Sequence, residues 1–211
     1  GSKYNPSNGN LVSSQSGISN LYNGNISSWT LKKDSVSSGF NNTVLGMKYR
    51  YDQLNRIKKE DFHFYYAGSW NNSTDYDNQY TYDPNGNIDT LKRRGDGGNN
   101  MDDLKYRYIS GTNKLEYVDD PVTSGLYSTD LDDQSAGNYT YAAIGNLISD
   151  AASGITSIEW TVYGKIKTII KSSGDSIKFT YDAMGNRVMK RLYIPAGGGT
   201  TTIGYYVRDA Q

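Results

Sequence analysis

The chain has 211 residues with 22 basic and 22 acidic side chains, so no net field draws it to nucleic acid or to an anionic membrane. Zero cysteines exclude disulfides and thiolate chemistry, and no apolar run approaches the length of a membrane-spanning helix. Twenty Tyr against four Phe, 23 Gly and a mean hydropathy of −0.71 point to many short hairpins with a shallow aromatic core. Gly1-Ser2 reads as a cloning remnant, and residues 3–211 as a single repeat array.

The array shows itself as one turn used repeatedly. In the first copy Gly9 follows Tyr4-Asn5-Pro6-Ser7-Asn8, one residue longer than the reference turn. Gly24 then follows Tyr22-Asn23, and Asn55 closes Tyr49-Arg50-Tyr51-Asp52-Gln53-Leu54 with the residue that best replaces glycine at positive φ. The reference copy is Tyr80-Thr81-Tyr82-Asp83-Pro84-Asn85-Gly86-Asn87-Ile88. Tyr80 and Tyr82 alternate with Thr81 as a half-buried strand does. Asp83 accepts from the turn backbone, Pro84 presets φ, and Gly86 takes the left-handed position, which predicts a three-residue hairpin loop with a glycine bulge.

Asn113, Gly145, Gly164 and Gly185 anchor the later copies, Asn113 again in a longer turn. Neighbouring anchors are 15, 31, 31, 27, 32, 19 and 21 residues apart. An interval near 20 holds two strands and two turns, and longer ones hold inserted loops. Residues 69–76, 96–103 and 119–137, rich in Asn, Asp, Ser and Gly, are the expected surface insertions. Residues 100–106 are the best of few helix candidates. At the far end Asp209 aligns with Asp83 and Asp182, so the native chain is expected to continue with Gly-Asn, as a truncated slice of a longer array.

Tyr82-Asp83…Gly86-Asn87-Ile88 and Tyr181-Asp182…Gly185-Asn186-Arg187 resemble the RHS-repeat, or YD-repeat, family, and eight partial copies extend the resemblance over about the whole chain. The copies around Gly24, Asn55, Gly145 and Gly164 lack the Tyr-Asp pair, its glycine, or both. The resemblance implies an all-β array of hairpins forming one extended, curved antiparallel sheet, an open fragment of a hollow shell. In bacterial members and insecticidal toxin complexes such a shell encloses a C-terminal toxin, and in teneurins it serves adhesion. It therefore implies a bacterial scaffold, secreted or on the cell surface. Its partners would be flanking repeats and a toxin or effector domain, and edge strands would invite self-association. The core segment where shell-forming members cleave themselves is absent, so self-cleavage is carried to no residue.

The residues themselves give no catalytic constellation. His63, the only histidine, alternates onto the face of Asp61 and Tyr65, opposite Phe62 and Phe64, and reads as a strand-surface imidazole with no nucleophile elbow to serve. Glu60, Glu116 and Glu159 read as solvated strand positions, although burial beside Trp160 would raise Glu159 towards a general acid. Asp83–Asn87 is not an EF-hand loop, because its glycine stands fourth and no Glu stands twelfth. Asp130, Asp132 and Asp133, like Asp102-Asp103, are loop acids, and zinc lacks ligands, so no metal or cofactor is expected. Lys58-Lys59 and Lys92-Arg93-Arg94 read as cross-strand ion pairing or edge protection by lysine rather than a nucleic-acid contact.

A carbohydrate-binding alternative rests on Trp29, Trp70 and Trp160 offering flat faces to pyranose rings, with Trp70 in an Asn-rich loop the first choice for a glycan contact. Aromatic pairing between strands is the commoner use. The sequons at Asn41 and Asn72 fit chance in so Asn-rich a chain.

Overall fold

The computed structural model describes residues 21, 23–32, 44–122, 125, 127 and 130–207. The turn at Gly9 and the alignment at Asp209 lie outside them. The chain divides into two compact units, one of residues 1–106 and 119–133, the other of residues 107–118 and 134–211.

Alternation of apolar and polar residues between turn signals produces strands throughout. The first eight are β1 (Ser28–Lys32), β2 (Val44–Tyr51), β3 (Ile57–Tyr66), β4 (Ser69–Asn72), β5 (Asn78–Tyr82), β6 (Ile88–Arg94), β7 (Asn100–Tyr108) and β8 (Leu115–Asp119). They form an antiparallel sheet in the order β1-β2-β3-β5-β6-β7-β8, with β4 paired to β3. The rest are β9 (Tyr139–Tyr141), β10 (Leu147–Asp150), β11 (Ile155–Trp160), β12 (Ile166–Lys171), β13 (Ser176–Tyr181), β14 (Arg187–Ile194) and β15 (Thr200–Tyr205). These follow one another as a seven-stranded meander. The fold is all-β hairpins, as the repeat predicts, without a closed barrel, but its strands fall into two sheets rather than one. The ladder is interrupted between β8 and β9, where side chains stand in for strands. Gln134 pairs with Val118 through both its backbone and its amide, and Asp120 accepts from the Asp103 N–H.

Two insertions are more ordered than their composition suggests. Residues 69–72 form β4 because the β3 chain reverses at Ala67-Gly68, both left-handed. Residues 100–106, the helix candidate, lie in β7, where Asp102 and Asp103 face Arg93 and Lys92 of β6. Their separations of 2.5 and 3.2 Å are the cross-strand ion pairing expected of the basic run. Before β7, Asp96–Gly98 forms a tight turn in which Gly97 and Gly98 are left-handed.

The core is thin. Among the described residues six apolar side chains are buried: Val44, Phe62, Trp70, Leu104, Val118 and Ile158. Trp70, expected on an exposed loop, is 8 % exposed and packs edge-on against Tyr65 at 5.5 Å, beside Val44. Pairing of Trp70 with Tyr65 across β3 and β4 places the indole inside, so it presents no free face to a sugar. His63, expected at the surface, is 3 % exposed, because Gly46 opposite it has no side chain to hold neighbours away and β4 covers its other flank.

Five turns share one hydrogen-bond pair. The first residue's N–H donates to the fifth carbonyl, and the fourth N–H donates to the first carbonyl, at 2.7–3.1 Å, in the turns starting at Asp52, Asp83, Ala142, Thr161 and Asp182. The fourth residue is left-handed in each, with φ of +62° at Asn55 and +91° at Gly86, for example. Gly24 is left-handed too. Asn113 is not: in its longer turn the positive φ, +74°, belongs to Gly111, where Thr112 N–H closes back on Ile109. The extra residue moves the reversal two positions earlier, giving glycine the position that only glycine fills cheaply. The same hydrogen-bond pair also recurs at Lys171–Asp175 and at Gly95–Asn99, where the sequence carries no Tyr-Asp signal.

Gly86→Val and Gly185→Val should each cost about 1–2 kcal/mol of unfolding free energy in denaturant titrations, from a left-handed conformation that a β-branched residue resists. In the longer turn the same loss should follow Gly111→Val, while Asn113→Val should cost clearly less.

Candidate functional site

The repeated feature of this structure is the seam between successive hairpins. Near each turn the neighbouring strands part: the β3–β5 ladder ends at Lys59↔Gln79 and the β12–β13 ladder at Thr168↔Lys178. A backbone carbonyl past the end of each ladder is left without its strand partner. An aromatic side chain from the next turn supplies one. The Tyr82 hydroxyl donates to the Ile57 carbonyl at 2.7 Å, and Tyr181 to that of Ile166 at 2.7 Å. Tyr51 donates to Ile26 at 2.8 Å, Tyr141 to Leu115 at 2.7 Å, and Trp160 uses its indole N–H on Leu147 at 2.7 Å. In all five the donor is the aromatic just before the turn; in four the acceptor is the first residue of the strand after an earlier turn, and Ile26 lies two residues before β1. A phenylalanine would fill the gap and leave the carbonyl unpaired, which is why tyrosine dominates.

Each of these aromatics is itself fixed by the turn it precedes. Register shifts occur at Arg50/Tyr51, Thr81/Tyr82 and Thr180/Tyr181, so one extra residue on the return strand sets the ring opposite the residue after the turn. The Asp that follows the tyrosine locks the loop. Asp83 accepts from the Asn87 N–H and amide, both at 2.9 Å, and Asp182 accepts from the same two groups of Asn186 at 2.8 and 3.1 Å. The Asn87 amide, followed by backbone N–H groups, holds the Asp83 carboxyl below its ordinary range. In the Asn55 turn Arg56 takes the place of that asparagine, donating to Asp52 from its backbone at 2.9 Å and from Nε at 2.7 Å. The Asp52 carboxyl is lowered by these hydrogen bonds, its backbone bond to Arg56 foremost.

Arg56 has a second use. Its guanidinium lies 4.4 Å from the Tyr82 ring centre, and Lys114 and Lys165 approach Tyr141 and Tyr181 at 5.7 and 5.5 Å. A cation one residue before the acceptor carbonyl thus covers the ring that reaches it. Lys165 also donates to the Gly185 carbonyl, tying two turns together. Burial raises the Tyr51, Tyr82 and Tyr141 hydroxyls above the ordinary phenol value, with Arg56 working against it at Tyr82. Tyr80, half-buried and near Glu60, is pushed up to about 12 by desolvation.

The parted strands in the second unit leave a cleft of about 850 Å³ between the Thr161 and Asp182 turns. Val162, Tyr163 and Met184 stand almost fully exposed at its mouth. Among the described residues no three His, Asp or Glu side chains converge as a metal site. Asp102 is committed to Arg93, and Asp132 and Asp133 do not join it. Glu159 faces solvent near Lys167, at 3.6 Å. The Trp160 indole N–H is taken up by the seam, and the Trp29 indole N–H donates to the Tyr49 hydroxyl.

No protein-family model matches the chain, and no curated protein matches it. Among solved structures it is similar to TcdB2-TccC3-TEV, at 13% identity over 79% of this chain and with a TM-score of 0.28. It is also similar to TcdB2-TccC3 without its hypervariable C-terminal region, at 14% identity over 78% of this chain and a TM-score of 0.28. The Photorhabdus luminescens Tc holotoxin pore aligns at 14% identity over 78% of this chain, with a TM-score of 0.27. The chain spans 13% of the length of each of these.

Tyr82→Phe and Tyr181→Phe should each lose about 1 kcal/mol of stability for the carbonyl left unpaired, whereas Tyr66→Phe, at a 67 % exposed strand end, should lose nothing measurable in the same denaturation series. Because Asp52 and Asp83 are lowered in the folded chain, their contribution is present above the unfolded carboxylate value near about 4 and is lost as pH falls below it. Asp77, raised by burial, works in the opposite sense. Acid titration of Asp83→Asn should therefore show a shallower loss of stability below that value than the parent chain.

Proposed function

We propose that this chain is wall material: a scaffold segment of a bacterial RHS/YD-repeat protein, secreted or on the cell surface, whose shell encloses or presents a C-terminal toxin domain. The chain has no catalytic role in this reading. The observation that carries it is the seam. Five aromatic donors spend their polar ends on the backbone of the preceding hairpin, and their turns close on themselves, so the repeated residues serve assembly of the array and face no substrate. Repeat arrays gain stability from such neighbour-to-neighbour contacts, and each hairpin alone buries too little to persist.

The ends of the sheets fit the same role. Strand β15 pairs only with β14 among the described residues, and all six of its residues are exposed. Its outer edge is a template for a further strand, supplied by a flanking repeat of the same protein or by a second copy. Sedimentation of the isolated chain should show concentration-dependent self-association. Ile203→Lys, placing a charge on that strand, should reduce it without altering the circular dichroism spectrum. A chain monomeric at all concentrations would count against an edge built to be continued.

A further inference from the structure

The first unit contains a polar cleft that the repeat does not require. It has a volume of about 350 Å³ and lies over β2 and β3, with residues 72–77 along its rim. Its floor is the face shared by Lys48, Asp61 and His63, which are 7, 9 and 3 % exposed. Repeat arrays need apolar contacts at such positions, and burying this much polarity is costly unless it is used.

The charges on the cleft are arranged unevenly. Arg50 reaches one oxygen of Asp61 at 2.8 Å, and Lys59 takes the other. Asp77 accepts from the Phe62 N–H at 2.9 Å and has Lys59 at 4.0 Å. Both carboxylates are thus engaged by protein donors and offer little to a metal ion. Three cationic side chains, Lys48, Arg50 and Lys59, line the cleft against these two carboxylates. Burial, with Lys48 adding, lowers the His63 imidazole below its ordinary value, so it stands neutral with one N–H. Neither ring nitrogen makes a hydrogen bond of good geometry, although Asn72 lies across the strand pair from it. The side chains of Asn72, Ser73 and Thr74 add donors at the rim.

We propose that this cleft binds a small oxyanion, a carboxylate or inorganic phosphate, which accepts from the His63 N–H and the Asn72 amide and lies against the Lys48 ammonium. A buried, water-poor setting strengthens such charge-assisted hydrogen bonds. The site is independent of the wall role, since it uses none of the seam residues.

His63 is the only histidine of the chain, so its ring Hε1 proton gives one isolated NMR signal. The 211-residue chain is titrated with sodium phosphate and, separately, with sodium acetate, at one fixed pH above neutrality and at ionic strength held constant with chloride. A saturable displacement of the His63 signal is expected, with Kd raised about tenfold in Lys48→Met, as for loss of one charged partner. Saturation by both anions marks a general oxyanion site, and saturation by phosphate alone narrows it to phosphates. If circular dichroism shows Lys48→Met unfolded, Asn72→Ala at the rim carries the comparison, with a rise in Kd again expected. A signal that moves no more than in chloride, or a Kd unchanged in the folded variants, overturns the proposal.

Discussion

Everything in this structure depends on how the chain treats a backbone carbonyl that has run out of ladder. Adjacent hairpins part near their turns, and each parting strands a carbonyl that must find a donor. The hydroxyl of the next tyrosine, held at the right height by the register shift before its turn, meets it at about the length of one ring. The side chain acts as spacer and as hydrogen-bond donor at once. A ring without a donor would keep the spacing and lose the bond, and a short donor would make the bond only by pulling the strands together.

The other parts of the repeat serve that contact. Asp83 and Asp182 close the loop so that the tyrosine before them has one orientation, and Gly86 and Gly185 supply the left-handed residue on which closure depends. Arg56, Lys114 and Lys165 lie against the rings whose hydroxyls they adjoin. Among the described residues six apolar side chains are buried, and of these Val44 and Trp70 pack together with Tyr65 against them. Stability is distributed along the seam rather than gathered in one centre.

Much of the fold was legible in the amino-acid order because turns and strands are local. Tyr82-Asp83…Gly86-Asn87 carries alternation, the Asx acceptor and the left-handed residue within seven positions, and the structure has a hairpin there. The longer turn misled, since Asn113 matched the pattern by position while Gly111 met the backbone requirement. Trp70 and His63 misled for a different reason: composition of a neighbourhood says little about which side chains a paired strand will cover, and Gly46 lies far from both in sequence. The seam itself escaped because donor and acceptor are 13 to 26 residues apart. One trace of it was present all along, the basic residue that stands where the reference turn has asparagine, in Asn55-Arg56, Asn113-Lys114 and Gly164-Lys165.

The acceptor in every one of these contacts is main chain. Isoleucine, leucine or any other residue with a carbonyl can occupy that place, so the hydrogen bond itself makes no demand on the acceptor's side chain. A hairpin joined in this way can follow any other that offers a carbonyl at that place, the cation over the ring being an addition to the bond. Such a seam lets the acceptor position change in sequence while its construction stays the same.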